Sequence, residues 1–164
     1  MALQIHSRKL KASFVVLAVW AVAAPAFADT LTGLWRGEYT CGQGLTAMAL
    51  SLREDARGNV QAVMTFSEHP KNPGVPTGCF TLFGRYNARS GALLLKQQKW
   101  LKQPDPYWYM IDLGGKISAD GNSYAGSVVF PQDGLCSSFS VKRVSRALPP
   151  APSAKDCDSE ALVS

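Results

Sequence analysis

Thr32–Cys41 reads TGLWRGEYTC. In an extended chain Trp35, Gly37, Tyr39 and Cys41 fall on one side, and Arg36, Glu38 and Thr40 fall on the other. That alternation is the mark of a strand with one face in a core and one in water. The same period recurs along the chain. Met48, Leu50 and Leu52 share a face, as do Val60, Ala62, Met64 and Phe66. Gly78, Phe80, Leu82, Gly84 and Tyr86 form the longest row. Tyr107, Tyr109, Ile111 and Leu113 make another, then Tyr124, Gly126, Val128 and Phe130. Phe139, Val141 and Arg143 close the series, and ALLLKQQKW (Ala92–Trp100) is a less regular strand between two turn signals. The count is eight strands with no convincing helical period.

The connections differ in character. DARGN (Asp55–Asn59), NARSG (Asn87–Gly91) and SADGNS (Ser118–Ser123) are short and rich in Gly, Asn and Asp, the residues that turn a hairpin at least steric cost. CGQG, EHPKNPGVPTGC, KQQKWLKQPDPYW and PQDGLC are the others; three of the four carry proline and two are long. If the strands run up and down in sequence, the tight turns gather at one end and the elaborate loops at the other. One end is then built for closure and the other for contact.

Eight strands in simple succession leave two exposed edges unless the first pairs with the last. The expected fold is therefore all-β, an eight-stranded antiparallel up-and-down barrel. In an antiparallel pair the sum of facing residue numbers is constant. Trp35 opposite Arg143 gives 178, and Cys41 opposite Cys136 gives 177. A Cys41–Cys136 bridge thus fits the closing register to within one residue, which would leave Cys79 to pair with Cys157. Four cysteines allow three connectivities, and Cys41–Cys79 stays open at this point.

Met1–Ala28 stands apart. Arg8, Lys9 and Lys11 give it a basic start, Phe14–Ala24 is an unbroken apolar run of 11 residues, and Ala26-Phe27-Ala28 has the small-x-small pattern of a cleavage site. The run is short for a membrane span. The expected organisation is a cleaved signal peptide over 1–28, a barrel domain over 29–146, and a Pro-rich tail over 147–164 that reads as an extended strap tied down by Cys157. After cleavage 14 of the 17 Lys and Arg residues face 12 acids, so the net charge falls from +5 to +2. A charge that small and scattered argues against nucleic acid. An even number of cysteines in an exported chain reads as two disulfides, in the periplasm or outside the cell.

Two resemblances follow from these residues. Gly33-Leu34-Trp35 at the start of the first strand resembles the G-x-W of the calycin group (lipocalins, fatty-acid-binding proteins, avidins). In lipocalins a basic residue of the last strand packs on that tryptophan, and Arg143 stands in the matching place. Over about Leu31–Ser145 the chain is also similar to a family of small exported bacterial domains of unsettled activity. These carry W-x-G-x-Y-x-C-x-Q-G (Trp35 to Gly44), a G-x-F-x-L-x-G-x-Y strand, a Trp before a Pro-containing loop, and a late C-x-x-F (Cys136 to Phe139). The resemblance implies fold and export and brings no catalytic residues.

Candidate chemistry is sparse. His69 is the single histidine after the leader; Ser67 is near it in sequence, without a strand-end geometry that would make a nucleophile and base. Glu38, Asp105 and Asp112 read as strand-face and turn acids rather than a glycosidase pair. No cysteine spacing is C-x-x-C, so a metal site is not expected, and neither is a cofactor. The richest signal is Lys96–Tyr109, where Trp100, Tyr107, Trp108 and Tyr109 interleave with Lys96, Lys99 and Lys102. Such loops offer contact area and steering charge.

Two non-catalytic readings result. In the first, a rim of Gln43, His69, Lys71, Trp100, Lys102 and Tyr107 engages a macromolecule, an unknown protein or envelope component; inhibition of an exported protease or lysozyme is one form. In the second, the barrel carries a small apolar ligand. Its interior would then be lined by Trp35, Met48, Met64, Phe80, Leu82, Tyr109 and Arg143. On this parity Tyr107 and Tyr109 face inward and Trp108 outward.

Overall fold

A computed structural model describes residues 31–129, 134–147 and Cys157. The expected leader, the tail apart from Ala147 and Cys157, and Phe130 of the seventh row lie outside the described residues. Eight strands follow in order: β1 Gly33–Cys41, β2 Gly44–Glu54, β3 Asn59–Ser67, β4 Gly78–Asn87, β5 Ala92–Lys102, β6 Asp112–Ile117, β7 Ser123–Val129 and β8 Ser138–Ser145. Each pairs antiparallel with the next, and β1 pairs with β8, so the sheet is a closed barrel with no free edge. The fold is the all-β, eight-stranded antiparallel up-and-down barrel expected from the alternation.

Closure follows the expected register. Trp35 faces Arg143 and Tyr39 faces Phe139, with a shift between Leu34 and Trp35 where β1 enters the seam. Glycines on the inward rows permit the tight coiling. A Cβ on Gly37 would overlap the Ser140 carbonyl oxygen of β8, and one on Gly126 would overlap the Gly114 carbonyl oxygen of β6. Cys41 is bonded to Cys136 and Cys79 to Cys157, cross-links that persist in oxidising compartments.

At the closed end the β2–β3, β4–β5 and β6–β7 turns each place a glycine at positive φ: Gly58 at 77°, Gly91 at 71° and Gly121 at 69°. These values are cheap only without a Cβ. Asp55 Oδ1 accepts from the Arg57 and Asn59 N–H groups at 2.8 and 2.9 Å, and Asp120 Oδ1 accepts from Asn122 N–H at 3.0 Å. The base is plugged by Trp35, which is fully buried and donates its indole N–H to the Leu31 carbonyl at 3.0 Å. The Arg143 guanidinium lies 4.5 Å from its ring centre and donates to the carbonyls of Thr32 and Gly121. A cation on an indole face is electrostatically favourable, and these carbonyls keep its charge hydrogen-bonded.

The interior is packed. Met48, Leu50, Met64, Phe80, Leu82 and Leu95 are all buried in one cluster with Trp35. Tyr124 is buried among them, donates to the Leu93 and Leu113 carbonyls at 3.1 and 2.8 Å, and meets Phe139 edge-on at 4.7 Å. Desolvation pushes its phenol above the ordinary tyrosine range.

Two expectations need correction. The β1–β2 connection is a two-residue turn, Gly42-Gln43, so one hairpin at the loop end is as tight as those at the closed end. The row beginning at Tyr107 does not start a strand there. Tyr107–Ile111 is irregular and β6 begins at Asp112. The cause is local: Asp105 Oδ1 accepts from Tyr107 N–H at 2.8 Å and the Asp105 carbonyl from Trp108 N–H at 3.2 Å, which folds PDPYW into a turn. The β5–β6 ladder accordingly covers only Ala92–Leu95 of β5.

Candidate functional site

The turn at Asp105 reverses the expected parity. Tyr107 and Tyr109 are 85% and 57% exposed, so Tyr109 is not an interior residue. Trp108 points the other way and stacks on Phe66, with ring centres 5.2 Å apart and planes at 18°. Trp100 is not a free rim side chain either. The β4–β5 register shifts between Thr81 and Leu82, which sets Trp100 opposite Phe80 on the inward face. The two rings meet edge-on at 5.2 Å. Gly78 makes room for this stopper, because a Cβ there would crowd the Phe66 ring and Pro104.

Above the stopper lies a cleft of about 270 Å³. The end of β1 supplies Tyr39 and Cys41, and the β1–β2 turn supplies Gln43. The β5–β6 connection contributes Tyr107, Trp108, Tyr109 and Ile111, and the segment entering β8 contributes Leu135 and Cys136. That segment is fixed by the Cys41–Cys136 bond, by Ser137 N–H donating to the Thr40 carbonyl at 3.0 Å, and by Val128 N–H donating to the Ser137 carbonyl at 3.0 Å. Leu135 remains 48% exposed at the mouth. None of the described lining residues carries a formal charge.

The polar end of the cleft is a short network. Gln43 Nε2 donates to the Tyr39 hydroxyl at 3.1 Å and to Thr46 Oγ1 at 3.0 Å, while Thr46 Oγ1 donates to the Gly44 carbonyl at 3.1 Å. Tyr39 is 4% exposed, and desolvation holds its phenol above the ordinary range despite the opposing bonds from Thr46 and Gln43. It stays neutral through the physiological range.

The β3–β4 loop braces this end rather than presenting groups to solvent. Asn72 Nδ2 donates to the Gln43 and Leu45 carbonyls at 2.7 and 3.0 Å. His69 Nδ1 accepts from Lys71 N–H at 3.1 Å, so the proton sits on Nε2, 3.3 Å from Glu38 Oε2. Lys71 and Lys102 are exposed, with Lys102 paired in register to Cys79 on β4. Of the six rim candidates only Gln43 and Tyr107 meet at the cleft. Of the interior candidates, Trp35, Met48, Met64, Phe80 and Leu82 are core, and Arg143 belongs to the basal plug.

Sequence reasoning missed Trp108, Ile111 and Leu135 as site residues and took Tyr39 as core alone. An apolar Leu135 inside the polar loop PQDGLC was the available signal. Among the described residues no group of three His, Cys, Asp or Glu side chains could hold a metal ion, and no helix is long and apolar enough to cross a membrane.

Fold and cleft together define a small eight-stranded antiparallel barrel with an aromatic-walled depression at its loop end, uncharged among the described lining residues. No protein-family model matches the chain, and no curated protein does. Among solved structures, the tryptamine complex of the amine binding protein of Rhodnius prolixus is similar at 12% identity. The alignment covers 80% of this chain and 72% of that chain, with a TM-score of 0.49.

Proposed function

We propose that the protein is a non-catalytic exported binding protein, periplasmic or secreted, that holds a small apolar ligand at the barrel mouth. The observation that carries this is the cleft of about 270 Å³ walled by Tyr39, Trp108 and Ile111, with no charge among its described lining residues. Its size lies just below the usual range of ligand pockets, roughly 300–1,000 Å³, and its apolar wall with few polar groups is their usual chemistry. The packed interior beneath moves the carrier reading from the barrel lumen to its mouth. Native mass spectrometry of the protein, purified without denaturant from cells that export it, is expected to show a neutral adduct of small mass. Leu135→Arg, which sets a cation in the mouth, is expected to abolish that adduct. An adduct retained in full by Leu135→Arg would overturn the reading.

A second reading, docking of a macromolecule on the rim, is favoured by Tyr107 at 85% exposure. Large exposed aromatics are typical contact anchors. It ranks below the first because Trp100 packs against Phe80 in the stopper and His69 is engaged with Glu38.

A further inference from the structure

The mouth-cleft reading leaves the kind of ligand undetermined, and Gln43 narrows it. A primary amide has two donor hydrogens on nitrogen and an acceptor oxygen on the opposite prong. Both hydrogens of Gln43 are committed, one to the Tyr39 hydroxyl and one to Thr46 Oγ1. The amide orientation is fixed by Thr46, whose own hydroxyl hydrogen goes to the Gly44 carbonyl. Thr46 Oγ1 must therefore accept from Gln43, so nitrogen and not oxygen faces it. The Gln43 backbone is held in place by Asn72 donating to its carbonyl at 2.7 Å. Among the described residues no donor reaches Gln43 Oε1. That oxygen is the prong left for the cleft that Gln43 lines.

Around it the walls are a phenol ring, an indole and aliphatic groups, with no charged side chain among the described lining residues. An anion or an ammonium group entering here would be desolvated without an ion partner among the described lining residues. Trp108 and Ile111 are the apolar surfaces of the cleft on which a planar body would lie.

Resting on the mouth-cleft reading, we infer that the ligand is a neutral aromatic molecule bearing one N–H or O–H donor, of the phenol or indole class, which donates to Gln43 Oε1. The body supplies the buried apolar area, and the donor fixes its orientation. A ligand with the same body and no donor leaves Oε1 unpaired when water is displaced, a loss on the scale of one neutral hydrogen bond.

The test uses three probes on the folded, disulfide-intact protein by isothermal titration at neutral pH. They are 2-naphthol, 2-methoxynaphthalene and 2-naphthoate. The expected order has 2-naphthol about tenfold tighter than 2-methoxynaphthalene, and 2-naphthoate weakest. In Gln43→Met, which keeps length and volume, the ratio of 2-naphthol to 2-methoxynaphthalene affinity is expected to fall from about ten to about one, whatever the change in each. Equal binding of naphthol and methoxynaphthalene by the unaltered protein overturns the donor inference and leaves the mouth-cleft reading standing. A naphthol preference that survives in Gln43→Met overturns the assignment to Gln43. Failure of all three probes to bind overturns the mouth-cleft reading and this inference with it.

Discussion

Trp35→Ala is expected to lower the unfolding free energy by about 3–5 kcal/mol, measured by guanidinium denaturation with the disulfides intact. Trp35 is fully buried at the base, so truncation removes a large apolar surface and leaves a cavity between β1 and β8. The change also strips the ring from under the Arg143 guanidinium, 4.5 Å above it, and leaves that cation over a void. Trp35→Phe keeps a ring but loses the indole N–H bond to the Leu31 carbonyl, so it should cost only about 1–2 kcal/mol. A loss for Trp35→Ala no larger than that for Trp35→Phe would mean that the base is not plugged by this pair.

The second large effect concerns the seam at the opposite end. Replacing Cys41 and Cys136 together by alanine is expected to destabilise the barrel by about 3–4.5 kcal/mol. The bond joins residues 95 apart in sequence, so it removes much of the freedom of the unfolded chain. The chain-entropy relation gives about 4.7 kcal/mol as its ceiling. The β1–β8 ladder persists from Leu34 to Tyr39 without the bond, so the variant still folds. Its denaturation midpoint falls, and the wall formed by Leu135 loosens. A midpoint unchanged within error would show that the ladder alone closes the cylinder.

Most of the barrel was legible because period-two alternation is a local property. Trp35 through Tyr39 and Phe139 through Arg143 each declare their inward face, and the matching of Trp35 with Arg143 needs only the antiparallel rule. The cleft was not legible, because it depends on parity across irregular backbone. The row from Tyr107 was extended through Pro104-Asp105-Pro106, and the turn made by the Asp105 carboxylate flips Trp108 inward and Tyr109 outward. Trp100 was misplaced for a related reason, since the register shift within β5 exchanges inner and outer faces and leaves no trace in composition. His69 drew notice as a lone titratable group, yet its ring serves Glu38 and the Lys71 backbone. Gln43 lined the site because a two-residue turn carries it there, and Asn72, 29 residues away, holds it.

The position of the ligand can be read directly. Nuclear Overhauser contacts from bound 2-naphthol to assigned methyl groups separate the mouth from the lumen. A ligand seated on the aromatic stopper shows contacts to Ile111 and Leu135. Contacts to Leu50, Leu82 and Leu95 in place of those two would put it inside the barrel and contradict the account.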